Sequence, residues 1–383
     1  MVTDAIGPYH HGGKEQRYLE LARRLAERAE VHVYTMNWWQ GARVRSDGDV
    51  TYHAIAPLLP LYSGPRRSIK QALVFALGCL RLLTARFDVL EADHMPYVQL
   101  LTLKLVAMIR HKRLIVTWHE YWGLDYWRSY LGRAGVVGWL CERVAALLPD
   151  AVIAASPQTA ERLRTVVRPR VPIVTAPNGV DLAAIASIEP AVDPVDIVVV
   201  GRLLPHKRID LLLQAISILQ AQGRQVTARV IGRGPDLHPL QELARALEVA
   251  HLVEFDCDVL DQALLFSLLK SARAAVFPSE REGFGIAVLE ALACRIPVVT
   301  TSAPDNLARH LVERAETGGV VCPPTAAALA RAIASVLLEP NPLHQPEEPW
   351  LSEYDWSAIT DRVASVLVPT SAEAERQAAS APH

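Results

Sequence analysis

An apolar segment ending at Phe277 runs into the polar turn Pro278-Ser279-Glu280-Arg281-Glu282, then Gly283-Phe284-Gly285, then the helical run Ile286-Ala287-Val288-Leu289-Glu290-Ala291-Leu292-Ala293. Strand, glycine-bearing loop and helix in that order are the layout of an anion site. A helix starting near Gly285 aims its unsatisfied amides and the positive end of its dipole at the loop, where a phosphate or a sugar hydroxyl is a natural guest. Glu290 interrupts the apolar run. Its carboxylate either reaches the surface along its own stem or is buried with a hydrogen-bonding partner, because burial without one is costly. Glu282 stands upstream in the loop, with seven residues between the two.

The rest of the chain repeats the same grammar. Strands are expected at Val31-Thr35, Val50-Ile55, Phe87-Glu91, Leu114-Thr117, Ala151-Ala155 and Ile173-Ala176, with helices from Ser68 to Thr84 and from Tyr97 to Ile109. After a stretch around Pro190 and Pro194 that loses periodicity, the pattern restarts at Asp196-Val200 and alternates strand and helix to Leu338. Such alternation predicts parallel sheets covered on both faces. The expected architecture is α/β: two doubly wound Rossmann-like halves in tandem, with the ligand at the strand carboxyl ends in a cleft between them. The boundaries read as 1–188 and 189–345, followed by a helix at 351–368 packing back on the first half and a disordered tail at 369–383. The opening strand, up to Ile6, is short for a central parallel strand, so it is expected to be cropped or its start placed late.

Composition narrows the function classes. With 39 basic and 41 acidic residues in 383, no global field favours nucleic acid. Five cysteines, widely spaced and odd in number, argue against a disulfide framework and against a zinc site. Apolar residues make up 51% of the chain without an uninterrupted run of membrane-spanning length. The N-terminus lacks the charged and apolar regions of a secretory leader. The expectation is a cytoplasmic protein.

Several residues stand where chemistry is expected. Arg202 and Lys207 lie on the loop that Gly201 opens after the first strand of the second half, where two cations suit a diphosphate, although such a pair on a loop is ordinarily solvated surface. Gly232 follows another strand, but Gly232-Arg233-Gly234 lacks the third glycine and the acid of a nicotinamide site. In the first half Gly12 and Gly13 form a glycine-rich turn before a helix. His119 and Glu120 follow the strand ending at Thr117, and Asp93 and His94 follow the strand ending at Glu91. Each is a candidate for substrate hydroxyls, or else a turn residue satisfied by backbone. Tyr121, Trp122, Tyr126, Trp127 and Tyr130 crowd what reads as one loop, suited equally to stacking on an acceptor and to packing. Arg66, Arg67, Lys70, Arg81 and Arg86 frame an apolar helix that reads first as a core helix with basic ends, and second as a site of peripheral membrane association through 66–86. His10 and His11 have no third ligand at useful spacing, so no metal is expected.

Together Gly12-Gly13, Asn178-Gly179-Val180-Asp181, Gly201-Arg202-Leu203, Lys207 and the pair Glu282 and Glu290 around Gly283-Phe284-Gly285 resemble the retaining GT-B glycosyltransferases of family 4. The resemblance implies that the first half takes the acceptor, with Asp93, His94, Glu120 and Trp122 as contacts, and the second a nucleotide diphosphate sugar. Glu290 would hold the ribose. Glu282, the 283–285 amides and Ile286 would hold the donor sugar, with His119 also contacting it. Arg202 and Lys207 would meet the diphosphate, with Gly12, Gly13, Gly201 and Gly232 close to the donor. His119, Glu282, Arg202 and Lys207 make up the expected catalytic set. Transfer would proceed with retention and without a metal or other cofactor. The acceptor would be a glycan, a lipid-linked glycan or a small molecule, met in the cytoplasm or at the inner membrane face. One departure is the turn Thr301-Ser302-Ala303-Pro304-Asp305-Asn306, where the family often has Gly-Gly and then Glu. An epimerase or hydrolase on the same scaffold, or a non-catalytic nucleotide-sugar-binding subunit, are the alternatives, since a fold does not fix a reaction.

Overall fold

The computed structural model describes residues 1–10, 12–64, 66–259, 261–316, 318–338 and 348–368; the expected tail at 369–383 lies outside them. The chain forms two compact units. One comprises Met1–Gly179 together with the C-terminal segment from Trp356, and the other is Val180–Asp355. The dividing point falls at 179/180, where the sequence reading has 188/189, because Val180 bridges to Asp355, and Val180 and Ile185, the latter on the short helix Leu182–Ser187, pack into the core of the second unit.

In the second unit six parallel strands lie in the order Val253–Asp256, Ala228–Ile231, Val195–Val200, Ala272–Phe277, Val298–Thr301, Gly319–Cys322. By chain order this is 3-2-1-4-5-6, the doubly wound arrangement. The β-branched runs explain it: along Val195–Val200, Ile197 and Val199 pack into one apolar layer and Val198 into the other. A strand buried on both faces reads as a near-continuous apolar run, here residues 197–200.

The first unit is built the same way around a minimal centre. Val2 bridges in parallel to both Tyr34 and Ala92, joining the strands Val31–Met36 and Val89–Asp93. On one side Val50–Ala56 and the antiparallel Val44–Asp47 extend the sheet; on the other, Arg113–Trp118, Ala151–Ala154 and Ile173–Thr175 do so. The expected short opening strand is thus a single bridging residue. Five helices matter below: α1 (Gly13–Ala26), α2 (Ile69–Gly78), α3 (Tyr97–Ile109), α4 (Gly123–Leu131) and α5 (Gly135–Ala145). The aromatic residues from Tyr126 to Tyr130, expected in a loop, lie on α4.

The helix layer α2, α3 and α5 is apolar on both sides. Phe75, Leu100, Leu103 and Val106 are buried against the sheet, while Ile69, Leu73 and Leu77 on α2, Leu101, Leu105 and Met108 on α3, and Val137, Leu140 and Val144 on α5 are exposed. Each trio recurs at three- or four-residue spacing and so forms one stripe. The helices neighbour one another, α2 on α3 and α3 on α5. The core-helix reading of 69–83 therefore accounts for only one face of it. No helix among the described residues is long and apolar enough to cross a membrane.

The C-terminal helix Trp356–Leu367 closes the opposite face of the first unit, where Trp356, Ile359 and Val363 join Leu21, Ala22 and Leu25 of α1. Ile359 is fully buried. Ile359→Ala is expected to destabilise the first unit by about 2–5 kcal/mol. Hydrogen exchange followed by mass spectrometry should show protection lost in α1 and in Ala151–Ala154, with the strands of the second unit unchanged; loss confined to the second unit would contradict this placement.

Candidate active site

In the second unit the strands Val195–Val200 and Ala272–Phe277 are neighbours whose chain continues to opposite sides of the sheet, so their carboxyl ends open a gap. Gly201, Arg202 and Lys207 border it from one side and Pro278 and Ser279 from the other. The Lys207 ammonium donates to Glu282 Oε1 at 2.6 Å, and the Ser279 hydroxyl donates to the same oxygen at 2.8 Å. The two residues are 75 apart in sequence. The loop carrying Glu282 is tied down on both sides: the Glu280 amide donates to the His206 carbonyl, and the Leu307 amide to the Glu282 carbonyl. Arg281–Glu282 also pairs as a short parallel ladder with Asp305–Asn306. The Asn306 side chain donates to Thr300 Oγ1 and to the Thr301 carbonyl, and Thr301 Oγ1 to the Ser279 carbonyl. The turn that departs from the family pattern is therefore the brace beneath Glu282.

Two glycines are required by geometry. Gly285 has φ +91° and a Cβ there would strike Ala308; Gly232 has φ +148° and a Cβ there would strike the Gly201 carbonyl. The helix Ile286–Ala293 starts at this point, with Gly283 and Ile286 half-buried and the Phe284 ring buried against Tyr354. Arg202 is exposed on the opposite loop. His206 is held neutral, lowered to about 4 by burial and then by Lys207 and Arg281. Glu290, one turn into the helix and half-buried, differs from Glu282: desolvation pushes its carboxyl up to about 7, and no cation among the described residues offsets it.

The first unit holds a second cluster at its own divergence point, the carboxyl ends of Val2 and Val89–Asp93. Lys14, just past Gly12-Gly13, bridges Asp4 at 2.8 Å and Asp93 at 2.6 Å, and Asp4 also receives Arg67 at 2.6 Å and Gln71 at 3.1 Å. Burial would raise the Asp93 carboxyl, yet Lys14 and His94 hold it well below the usual range. His94 Nδ1 lies 3.1 Å from Asp93 Oδ1, and His119 Nε2 lies 3.8 Å from the same oxygen. His119 is neutral, lowered to about 3 by burial despite Asp93. Trp122 Nε1 donates to Glu120 at 3.1 Å. Asp93, His94, His119 and the glycine turn thus share one cluster, and Glu120 and Trp122 share the loop after His119. Asp4, Lys14 and Ser279 were missed. For Lys14 the signal was present, a cation directly after two glycines at a helix start.

Two parallel-sheet units, each with a polar cluster at its divergence point, define an α/β protein of the GT-B class. Residues 183–348 match the family model "Glycosyl transferases group 1" and residues 11–184 match "Glycosyltransferase Family 4". The chain belongs to the family 4 type of glycosyltransferases. It is 30% identical over 197 residues to a glycogen synthase of Mycobacterium tuberculosis, covering 50% of this chain and 47% of that one. It is 32% identical over 216 residues to a lipopolysaccharide core biosynthesis mannosyltransferase of Rhizobium leguminosarum, covering 53% and 57%. The chain spans about half the length of these curated relatives. The solved sucrose-phosphate synthase of Thermosynechococcus elongatus shares the fold at a TM-score of 0.76 and 19% identity, over 95% of this chain and 97% of that one.

A carboxyl whose native value lies above the unfolded value of 4.5 weakens the fold when it ionises. For Glu290 that penalty is absent below about 4.5 and complete above about 7. Glu290→Gln should therefore stabilise the protein by about 1–3 kcal/mol at pH 8 and hardly at all at pH 5. Thermal melts of parent and variant at the two pH values check this, and equal shifts at both would refute it.

Proposed function

We propose that this chain transfers a sugar from a nucleotide diphosphate sugar to an acceptor hydroxyl, with retention at the anomeric carbon and without a metal ion. The observation that carries the reading is the Lys207–Glu282–Ser279 set at the divergence point of the second sheet, with the unpaired Glu290 one turn into the following helix. Lys207, Arg202 and the helix amides supply fixed positive charge where a leaving diphosphate gains negative charge, which is the work a cation would otherwise do. Glu282 holds Lys207 in place and offers its second oxygen to a sugar hydroxyl. Glu290 lacks a cation partner and takes the ribose hydroxyls. In the first unit Asp93, His94, Glu120 and Trp122 meet the acceptor, and the neutral His119 is assigned to the donor sugar.

This reading separates the glutamates. Glu290→Gln should weaken binding of a free nucleoside diphosphate roughly tenfold to a hundredfold, the cost of losing hydrogen bonds to a charged group. Glu282→Gln should leave that binding unchanged or slightly tighter, because it frees Lys207, while lowering kcat for transfer. Calorimetric titration of both variants, with proton NMR of the early product, tests it. Equal losses of diphosphate binding would break the assignment of roles, an inverted linkage would remove retention, and sugar release in the presence of acceptors would favour the hydrolase alternative.

The acceptor side is read as facing an anionic membrane surface at the cytoplasmic side. Of the 39 basic and 41 acidic residues, twelve basic but only six acidic ones fall between 66 and 147, the span of the exposed apolar stripes on α2, α3 and α5. Three of those six acids, Glu91, Asp93 and Glu142, are buried. An apolar face carried on a stretch with an excess of basic residues suits anionic lipid. The Rhizobium relative is named for lipopolysaccharide core biosynthesis, which suits an acceptor carried by lipid. The protein should sediment with vesicles containing phosphatidylglycerol, and far less with phosphatidylcholine alone. Leu73→Asp with Leu105→Asp should abolish sedimentation; retention of binding by that double variant would rule this face out.

A further inference from the structure

Glu142, on α5, is fully buried and its carboxylate has no Lys, Arg or His partner among the described residues. Instead it accepts four hydrogen bonds. Oε1 takes the Tyr97 hydroxyl at 3.0 Å and the Trp122 amide at 2.8 Å; Oε2 takes the Gly123 amide at 3.0 Å and Trp127 Nε1 at 3.0 Å. Burial raises its carboxyl value, and these hydrogen bonds offset that only in part. Four donors match the acceptor capacity of an ionised carboxylate and leave no position for a donor of its own.

The two amides are those of Trp122, the residue before α4, and of Gly123, its first, and Trp122 makes no side-chain cap there. A carboxylate from another helix therefore caps α4 and sits at the positive end of its dipole. Between the end of the strand Arg113–Trp118 and this cap lie only His119, Glu120, Tyr121 and Trp122. The same residues are also held at the His119 carbonyl, which accepts from Thr159 Oγ1 at 3.2 Å, at the Tyr121 carbonyl, which accepts from Arg162 at 3.3 Å, and at the Trp122 ring, which packs on Trp127. Tyr97, the third donor to Glu142, has its ring 5.7 Å from that of His94. Glu142 thus stands one contact behind both sets of proposed acceptor residues, the loop with Glu120 and Trp122 and the ring of His94.

We propose that Glu142 is a positioning residue for acceptor chemistry: by capping α4 it fixes the His119–Trp122 loop, and it needs its negative charge to do so. The inference rests on the transferase reading above. Glutamine has the same shape but a single acceptor oxygen, and its amide group turns two hydrogens toward groups that are themselves donors.

The test is Glu142→Gln in the full chain, with Glu142→Asp as a milder variant that keeps the charge. In Glu142→Gln, hydrogen exchange should quicken at residues 119–124 and stay unchanged in the strands of the second unit. Nucleoside diphosphate affinity should match the parent, and kcat for transfer should fall roughly tenfold to a hundredfold with acceptor KM changed by much less. Glu142→Asp should recover part of kcat and part of the loop protection. Unchanged kcat alongside quickened exchange would overturn the positioning role, as would Glu142→Asp behaving no better than Glu142→Gln, or a loss of protection spread through the whole first unit. If the parent binds diphosphate and never transfers sugar, the transferase reading fails instead, and the exchange data alone still report whether the charge fixes the loop.

Discussion

Both units depend on the same constraint, a parallel sheet in which two neighbouring strands send their chain to opposite faces. No backbone can cover the gap left at their carboxyl ends, so side chains and turns must fill it. In the second unit the strands are Val195–Val200 and Ala272–Phe277, and the gap is filled by Lys207, Glu282 and Ser279. In the first, Val2 stands beside Val89–Asp93, and Lys14 between Asp4 and Asp93 fills it. Lys207 is compensated by one carboxylate from another loop, and Lys14 by two, Asp4 and the strand-end Asp93, since a charge left unpaired there would be strongly destabilising. The glycines at 232 and 285 follow from the same geometry, because the turns that bring these loops together leave no room for a Cβ.

Glu282 and Glu290 show how position divides one residue type into two kinds of group. Glu282 is anchored by a cation and a hydroxyl before any substrate arrives, so its orientation costs nothing at the moment of reaction. Glu290 lies within an apolar helix with burial acting on it alone, and its charge is unstable until a donor of hydrogen bonds is supplied. One is anchored by partners the fold supplies, and the other is left by the fold to the apolar helix around it.

The strands of the second unit were legible because a strand covered on both faces is a near-continuous apolar run, and residues 197–200 and 298–299 read that way. The helix Ala326–Leu338 was legible from its period. α4 and α5 were not. Gly123, Gly132, Gly135 and Gly138 punctuate that stretch like a loop, and the cap that starts α4 comes from Glu142, which lies beyond the reach of any local pattern. Likewise Lys207 and Glu282 were each readable on their own loops, but their pairing depends on which strands are neighbours. The exposed stripe on α2 was hidden for a different reason: an apolar helix has the same composition whether one face of it or two are covered.

The first unit is assembled from two stretches of chain with the whole of the second unit between them. During synthesis the ribosome releases Met1–Gly179 long before Trp356, Ile359 and Val363, so the apolar face that α1 offers them stays open while Val180–Asp355 is made. The second unit has all its own strands in one continuous stretch, and its core takes up Leu351 and Tyr354 just before Trp356 is made. Over that interval the growing chain carries an uncovered apolar surface on α1, until the helix Trp356–Leu367 emerges to cover it.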